Sequence, residues 1–116
     1  MPTAYLVHWN EAEAADRAAA LAKAGYAVTT HWSEGSTPQL PDPLPDAVVI
    51  SLDRLPSHGR AIAEWVWEAK KRQHVPIVFV GGKPDKVAAT REKFPTATFC
   101  ATEDVTATLA RLVPAK

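Results

Sequence analysis

Short apolar runs alternate with amphipathic stretches along this chain, a pattern that predicts strands feeding helices. The first run, TAYLVHW (Thr3–Trp9), leads into NEAEAADRAAALAKAG, where Asn10 stands as an N-cap, Glu13 follows three residues on, and Gly25 ends the helix. Ala14, Ala18, Leu21 and Ala22 fall on one stripe of that helix, and their small side chains suit close packing on a sheet. YAVTTHW (Tyr26–Trp32) is β-rich and reads as a second strand. AVVISL (Ala47–Leu52) is continuously apolar, as in a strand covered on both faces. A helix is predicted from Ser57 to about Gln73, with Ile62, Trp65, Val66 and Ala69 on one side. VPIVFVGG (Val75–Gly82) is a buried strand ended by a glycine pair. Pro84–Phe94 then reads as a helix, TATFCA (Thr96–Ala101) as a fifth strand, and Thr102–Leu112 as a closing helix capped by Thr102.

One connection breaks the alternation. Ser33–Asp46 holds Pro38, Pro41, Pro43 and Pro45, which remove backbone donors every few residues and leave no helix there. The other strands need crossovers, and right-handed crossovers give a parallel sheet. The predicted class is therefore α/β: a flavodoxin-like three-layer sandwich with a five-stranded parallel sheet of order 2-1-3-4-5, the helix after the second strand replaced by the proline-rich loop. No repeat or linker divides residues 1–116, so one domain is expected. Sites in such sheets lie beyond the carboxyl ends of the strands. That selects His8–Glu11, Ser51–His58, Gly81–Lys83 and Ala101–Glu103.

Charge narrows the partners. Lys plus Arg and Asp plus Glu both number 13, so no global field draws in nucleic acid or an acidic membrane, and neither is an expected partner. Lys70, Lys71 and Arg72 sit at a predicted helix end, where cations complement the macrodipole. No apolar run approaches the roughly 20 residues that span a bilayer. The single Cys100 cannot form an internal disulfide, and the opening MPTAYLVHWNEAEAAD lacks the features of a signal peptide, so the cytoplasm is the expected compartment.

The segments AYLVHWNEAEAADRAAALAKAGYAVTT, PDAVVISLDRLPSHG, VPIVFVGG and TLARLV follow one another in an order and spacing that resemble a response-regulator receiver domain along nearly the whole chain. The resemblance implies transfer of a phosphoryl group onto an aspartate. An acidic pair after the first strand would hold Mg²⁺, with the acceptor Asp after the third strand, a hydroxyl after the fourth and a Lys after the fifth. On this chain those positions hold His8 and Trp9, Ser51, Gly81 and Ala101. Every residue type has changed, so the resemblance is to a degenerate, pseudo-receiver form. Mg²⁺ wants carboxylate and water oxygens, which a His-Trp pair lacks, and phosphoryl transfer depends on cationic stabilisation of the moving charge. No metal, cofactor or catalytic residue is expected. Only a local slip bringing Asp53 or Glu11 into the site would restore the chemistry.

The leading expectation is a non-catalytic signalling domain that works through a protein partner or self-association, without Mg-dependent aspartyl phosphorylation. Trp67 lies about 140° round its helix from Ile62, so it is expected to face outward and to need a cover: either the proline-rich loop packs on it in place of the missing helix, or, with Trp32 and that loop, it forms a contact surface. The alternative is a small anionic ligand site or minor enzyme at the strand edge, drawing on His8, Asn10, Glu11, Asp53, His58, Gly82 and Lys83. GGKPDK has glycines before a helix but lacks phosphate-loop spacing. A zinc site or Cys–His nucleophile built from His8, His58, Asp53 and Cys100 is the weaker drawing, because the histidines share no ligand spacing and a lone Cys in an apolar strand is usually inert. A third reading is an atypical phospho-receiver using Asp53.

Overall fold

The computed structural model describes residues 2–31, 44–53 and 56–114, without the side chains of 56–58. Trp32, most of the proline-rich loop and the His58 side chain lie outside the described residues. Strands β1 (Thr3–Val7), β2 (Ala27–His31), β3 (Ala47–Ser51), β4 (Ile77–Val80) and β5 (Thr98–Cys100) alternate with helices α1 (Glu11–Lys23), α2 (Pro56–Glu68), α3 (Pro84–Lys93) and α4 (Val105–Leu112). β3 follows β2 without a described element between them. All pairings are parallel, in the order β2-β1-β3-β4-β5, as the pattern of runs predicts.

The pleat sends alternate residues into two cores. Tyr5, Val7, Val48, Ile50, Ile77 and Phe79 pack on one side with Ile62, Ala63, Val66 and Phe94. Ala4, Leu6, Ala47, Val49, Val78 and Val80 pack on the other with Leu21 and Leu109. Burial on both faces is why β3 and β4 read as unbroken apolar runs.

α1 starts where the sequence places it. Asn10 Oδ1 accepts the Glu13 N–H at 3.0 Å. At the other end Gly25 takes φ 102°, while the N–H groups of Gly25 and Tyr26 donate to the carbonyls of Ala22 and Leu21. The buried stripe is narrower than expected: Ala14 and Leu21 are buried, Ala18 partly so, and Ala22 exposed.

α2 departs from expectation twice. Its buried face is Gly59, Ile62, Ala63 and Val66, so Ile62 lies at the edge of the face and Trp67 on its flank. Trp67 is therefore half-buried where an outward position was expected, its Nε1 donating to the Val75 carbonyl at 2.9 Å and its ring edge-on to Phe94. The helix also ends at Glu68, short of Gln73, because Ala69 is extended and a single 3-10 turn, Lys70–Arg72, follows. Arg72 folds back over Trp65 and donates to the carbonyls of Trp65 and Val66 at 2.9 and 3.2 Å. The basic cluster thus supplies a helix C-cap. Thr102 likewise opens a 3-10 turn without a side-chain capping bond, and α4 begins at Val105.

Phe94, Phe79 and Phe99 form an aromatic row beneath α3, with centroids 5.6 and 5.2 Å apart. Phe79 is 1% exposed. Replacing it with Ala should lower unfolding free energy by about 3–5 kcal/mol in urea denaturation. Thr29→Ala, on exposed β2, should stay within about 0.5 kcal/mol. A Phe79→Ala loss under about 1 kcal/mol would contradict the row's place in the core.

Candidate functional site

His8 is the first residue beyond β1 and is fully buried, its backbone N–H donating to the His31 carbonyl of β2. The ring is gripped from α1 at both nitrogens. Nε2 lies 2.7 Å from Glu13 Oε1, and Nδ1 lies 3.4 Å from Arg17 Nη1. A guanidinium only donates, so Nδ1 accepts, the ring proton sits on Nε2, and Nε2–H donates to the Glu13 carboxylate. The neutral tautomer satisfies all three groups at once. Burial lowers the His8 pKa from the ordinary 6.5, the hydrogen bond to Glu13 opposes it, and the Arg17 charge lowers it further.

Arg17 reaches past the ring. Its Nη2 donates to Asp53 Oδ2 at 3.1 Å, while Asp53 Oδ1 accepts the Gly82 N–H at 2.7 Å. The Asp53 N–H in turn donates to Oγ of buried Ser51 at 3.2 Å. One chain of contacts thereby joins α1, the segment after β3 and the turn after β4.

The glycine pair makes room for it. Gly81 and Gly82 take φ 69° and 94°, values that favour glycine. A Cβ on Gly81 would lie 2.5 Å from Asp53 Oδ1, and one on Gly82 would lie 2.7 Å from Leu52 Cβ. Asp53 occupies the space that a side chain at position 81 would need.

The remaining expected residues spread out from this centre. Trp9 packs on the core and sits edge-on to His31, with centroids 5.6 Å apart. Asn10 is spent on the helix cap, and Glu11 and Lys83 are exposed. Ala101 lines a cleft of about 480 Å³ between the β4–α3 turn and β5, bordered also by Asp53, Gly82, Arg91, Phe99 and Glu103. Arg91 lies 4.8 Å over the Phe99 ring in that wall. Neither His8 nor Lys83 borders the cleft. Burial pushes the Cys100 thiol up, away from the reactive thiolate, with its Thr108 hydrogen bond opposing. Among the described residues no group of three or more His, Cys, Asp and Glu converges as metal ligands.

Sequence reasoning missed Glu13 as a histidine partner and Arg17 altogether. Their signal was an acid–base pair four residues apart on the first turns of a helix starting beside His8. The same spacing is common on solvated helix faces, so only the fold distinguishes them.

Comparison with known proteins gives a likeness of fold. No family model matches the sequence, and no curated protein matches it. Among solved structures, the signal receiver domain of a signal-transduction histidine kinase from Syntrophus aciditrophicus superposes with TM-score 0.71 at 14% identity, covering 97% of this chain and 90% of that one. A protein assigned as a response regulator from Chloroflexus aurantiacus gives 0.71 at 18%, covering 97% and 98%. A bacteriophytochrome response regulator gives 0.68 at 11%, covering 97% and 78%. The fold is receiver-like from β1 to α4.

The Gly81–Asp53 contact has a direct consequence. Gly81→Thr, which puts a hydroxyl where the resemblance places one, should destabilise the fold by about 1–3 kcal/mol through positive φ and collision with Asp53. Thermal denaturation reads this, and an unchanged melting temperature would contradict it.

Proposed function

We propose that this chain is a receiver-like signalling domain acting through protein contacts, in which a built-in ionic tie takes the place of Mg-dependent aspartyl phosphorylation. The observation that carries the reading is the occupancy of Asp53. One of its oxygens is bonded to Arg17 and the other to the Gly82 N–H. Arg17 brings a tethered positive charge to the carboxylate that a divalent ion would otherwise meet, and His8 beside it offers a nitrogen already held between Glu13 and Arg17. Mg²⁺ demands oxygen ligands at short, near-octahedral positions and sheds its waters reluctantly, so a guanidinium and an imidazole are poor company for it.

Attack by Asp53 on a phosphoryl donor would also break one of its two bonds. Among the described residues, Arg17 is the cation bonded to Asp53 that would meet the charge developing in that transfer, and a single guanidinium is a weaker counterpart than the metal that phosphoryl transfer relies on. Protein contacts would use the surface of α3, β5 and α4, where Leu112 at 41% is the exposed large hydrophobic side chain among the described residues.

Intact-mass spectrometry after incubation with an acyl phosphate and Mg²⁺ tests this. The mass should be unchanged. Gain of one phosphoryl group in the natural chain, lost in Asp53→Asn, would overturn the reading.

A further inference from the structure

We propose that His8, Arg17 and Asp53 form a proton-operated latch: protonation of His8 detaches Arg17 from the ring and loosens the tie that Asp53 makes to the Gly81–Gly82 turn. The inference rests on reading this edge as a signalling site, and it names a proton as that site's input.

The geometry sets the two states. With neutral His8, Nδ1 accepts from Arg17 and Nε2–H donates to Glu13. Protonation puts a second N–H on Nδ1, so a donor then faces a donor at a separation of 3.4 Å and two cations meet. Neither group can accept from the other. Arg17 is the member free to move, because its guanidinium is partly exposed while the ring is fully buried.

The charged groups facing the ring act on its protonation in opposite directions. Glu13 on α1 and the Asp53 carboxylate favour the protonated ring, whereas burial and Arg17 oppose it. From β2 the His31 carbonyl accepts the His8 backbone N–H, not a ring nitrogen, and the His31 ring is itself held toward the neutral form by burial. The folded ring therefore takes its proton below the ordinary 6.5. The sign follows: the latch contributes its full stability above about pH 6.5 and loses it as pH falls through the folded value.

Release has a place to act. Asp53 borders the cleft at the β4–α3 turn and is bonded to Gly82 within it. When Arg17 withdraws, Asp53 Oδ2 loses its cation and the turn loses half of what fixes that carboxylate.

Nuclear magnetic resonance on the full chain, without phosphoryl donor or Mg²⁺, from about pH 8 to about pH 5, follows the His8 ring nitrogens and the Gly82 amide together. The expected result is an Nε2–H tautomer at high pH, a ring midpoint below 6.5, and a Gly82 amide shift with that same midpoint. In Arg17→Met the ring midpoint should rise, since a neighbouring cation is gone, and the Gly82 shift should no longer follow it. Three results would overturn the latch: a ring that stays neutral until the chain unfolds, a Gly82 amide that ignores the ring, or a Gly82 response unchanged by Arg17→Met. Failure here leaves the mass test untouched, and a phosphorylated Asp53 would leave this titration standing, so the two readings fail separately.

Discussion

The carboxyl edge of this sheet is organised by one guanidinium. Arg17 leans off α1 to touch a buried imidazole and a carboxylate, and that carboxylate holds the amide of the turn after β4. Three segments far apart in sequence are fixed by a side chain that carries its own charge and needs no ion from solution. Loss of any member would leave a polar group with its partner missing, so the account expects the contacts to be coupled.

The scaffold dictates who can take part. Asn10 caps α1 at the point where β1 ends, which sets the first turn beside His8 and puts Glu13 and then Arg17 within reach of its two nitrogens. The parallel register carries β3 and β4 to the same edge, so that Asp53 and the glycine pair emerge side by side. Gly81 then leaves its space to the Asp53 carboxylate. On the proposed reading, exchanging a hydroxyl for glycine and an acidic pair for His-Trp are two parts of one change, because the tied carboxylate fills the room that the first would need and removes the task of the second.

Much of this was legible in the residues. Alternating runs specified five parallel strands in their observed order, and Asn10, Gly25 and the glycine pair marked real boundaries. What escaped was long-range. Trp67 was misplaced because Ile62 is at the margin of the buried face, and one residue's shift of a helical stripe turns a flank into an outside. The end of α2 was overrun because its stop is Arg72 folding back on the carbonyls, a tertiary act with no breaker residue to announce it. Arg17 was invisible for a similar reason: an arginine in an Ala-rich helix reads as a solvated face until the neighbouring loop is known.

The claim under all of this is that Arg17 is energetically coupled to Asp53 and takes the place at that carboxylate that a divalent cation would otherwise hold. A double-mutant cycle with Arg17→Met and Asp53→Asn, run by chemical denaturation with and without Mg²⁺, measures it directly. The account predicts a favourable coupling of about 1 kcal/mol, discounted for partial exposure and unaffected by the metal. Strictly additive losses, together with stabilisation of the natural chain by Mg²⁺, would contradict it.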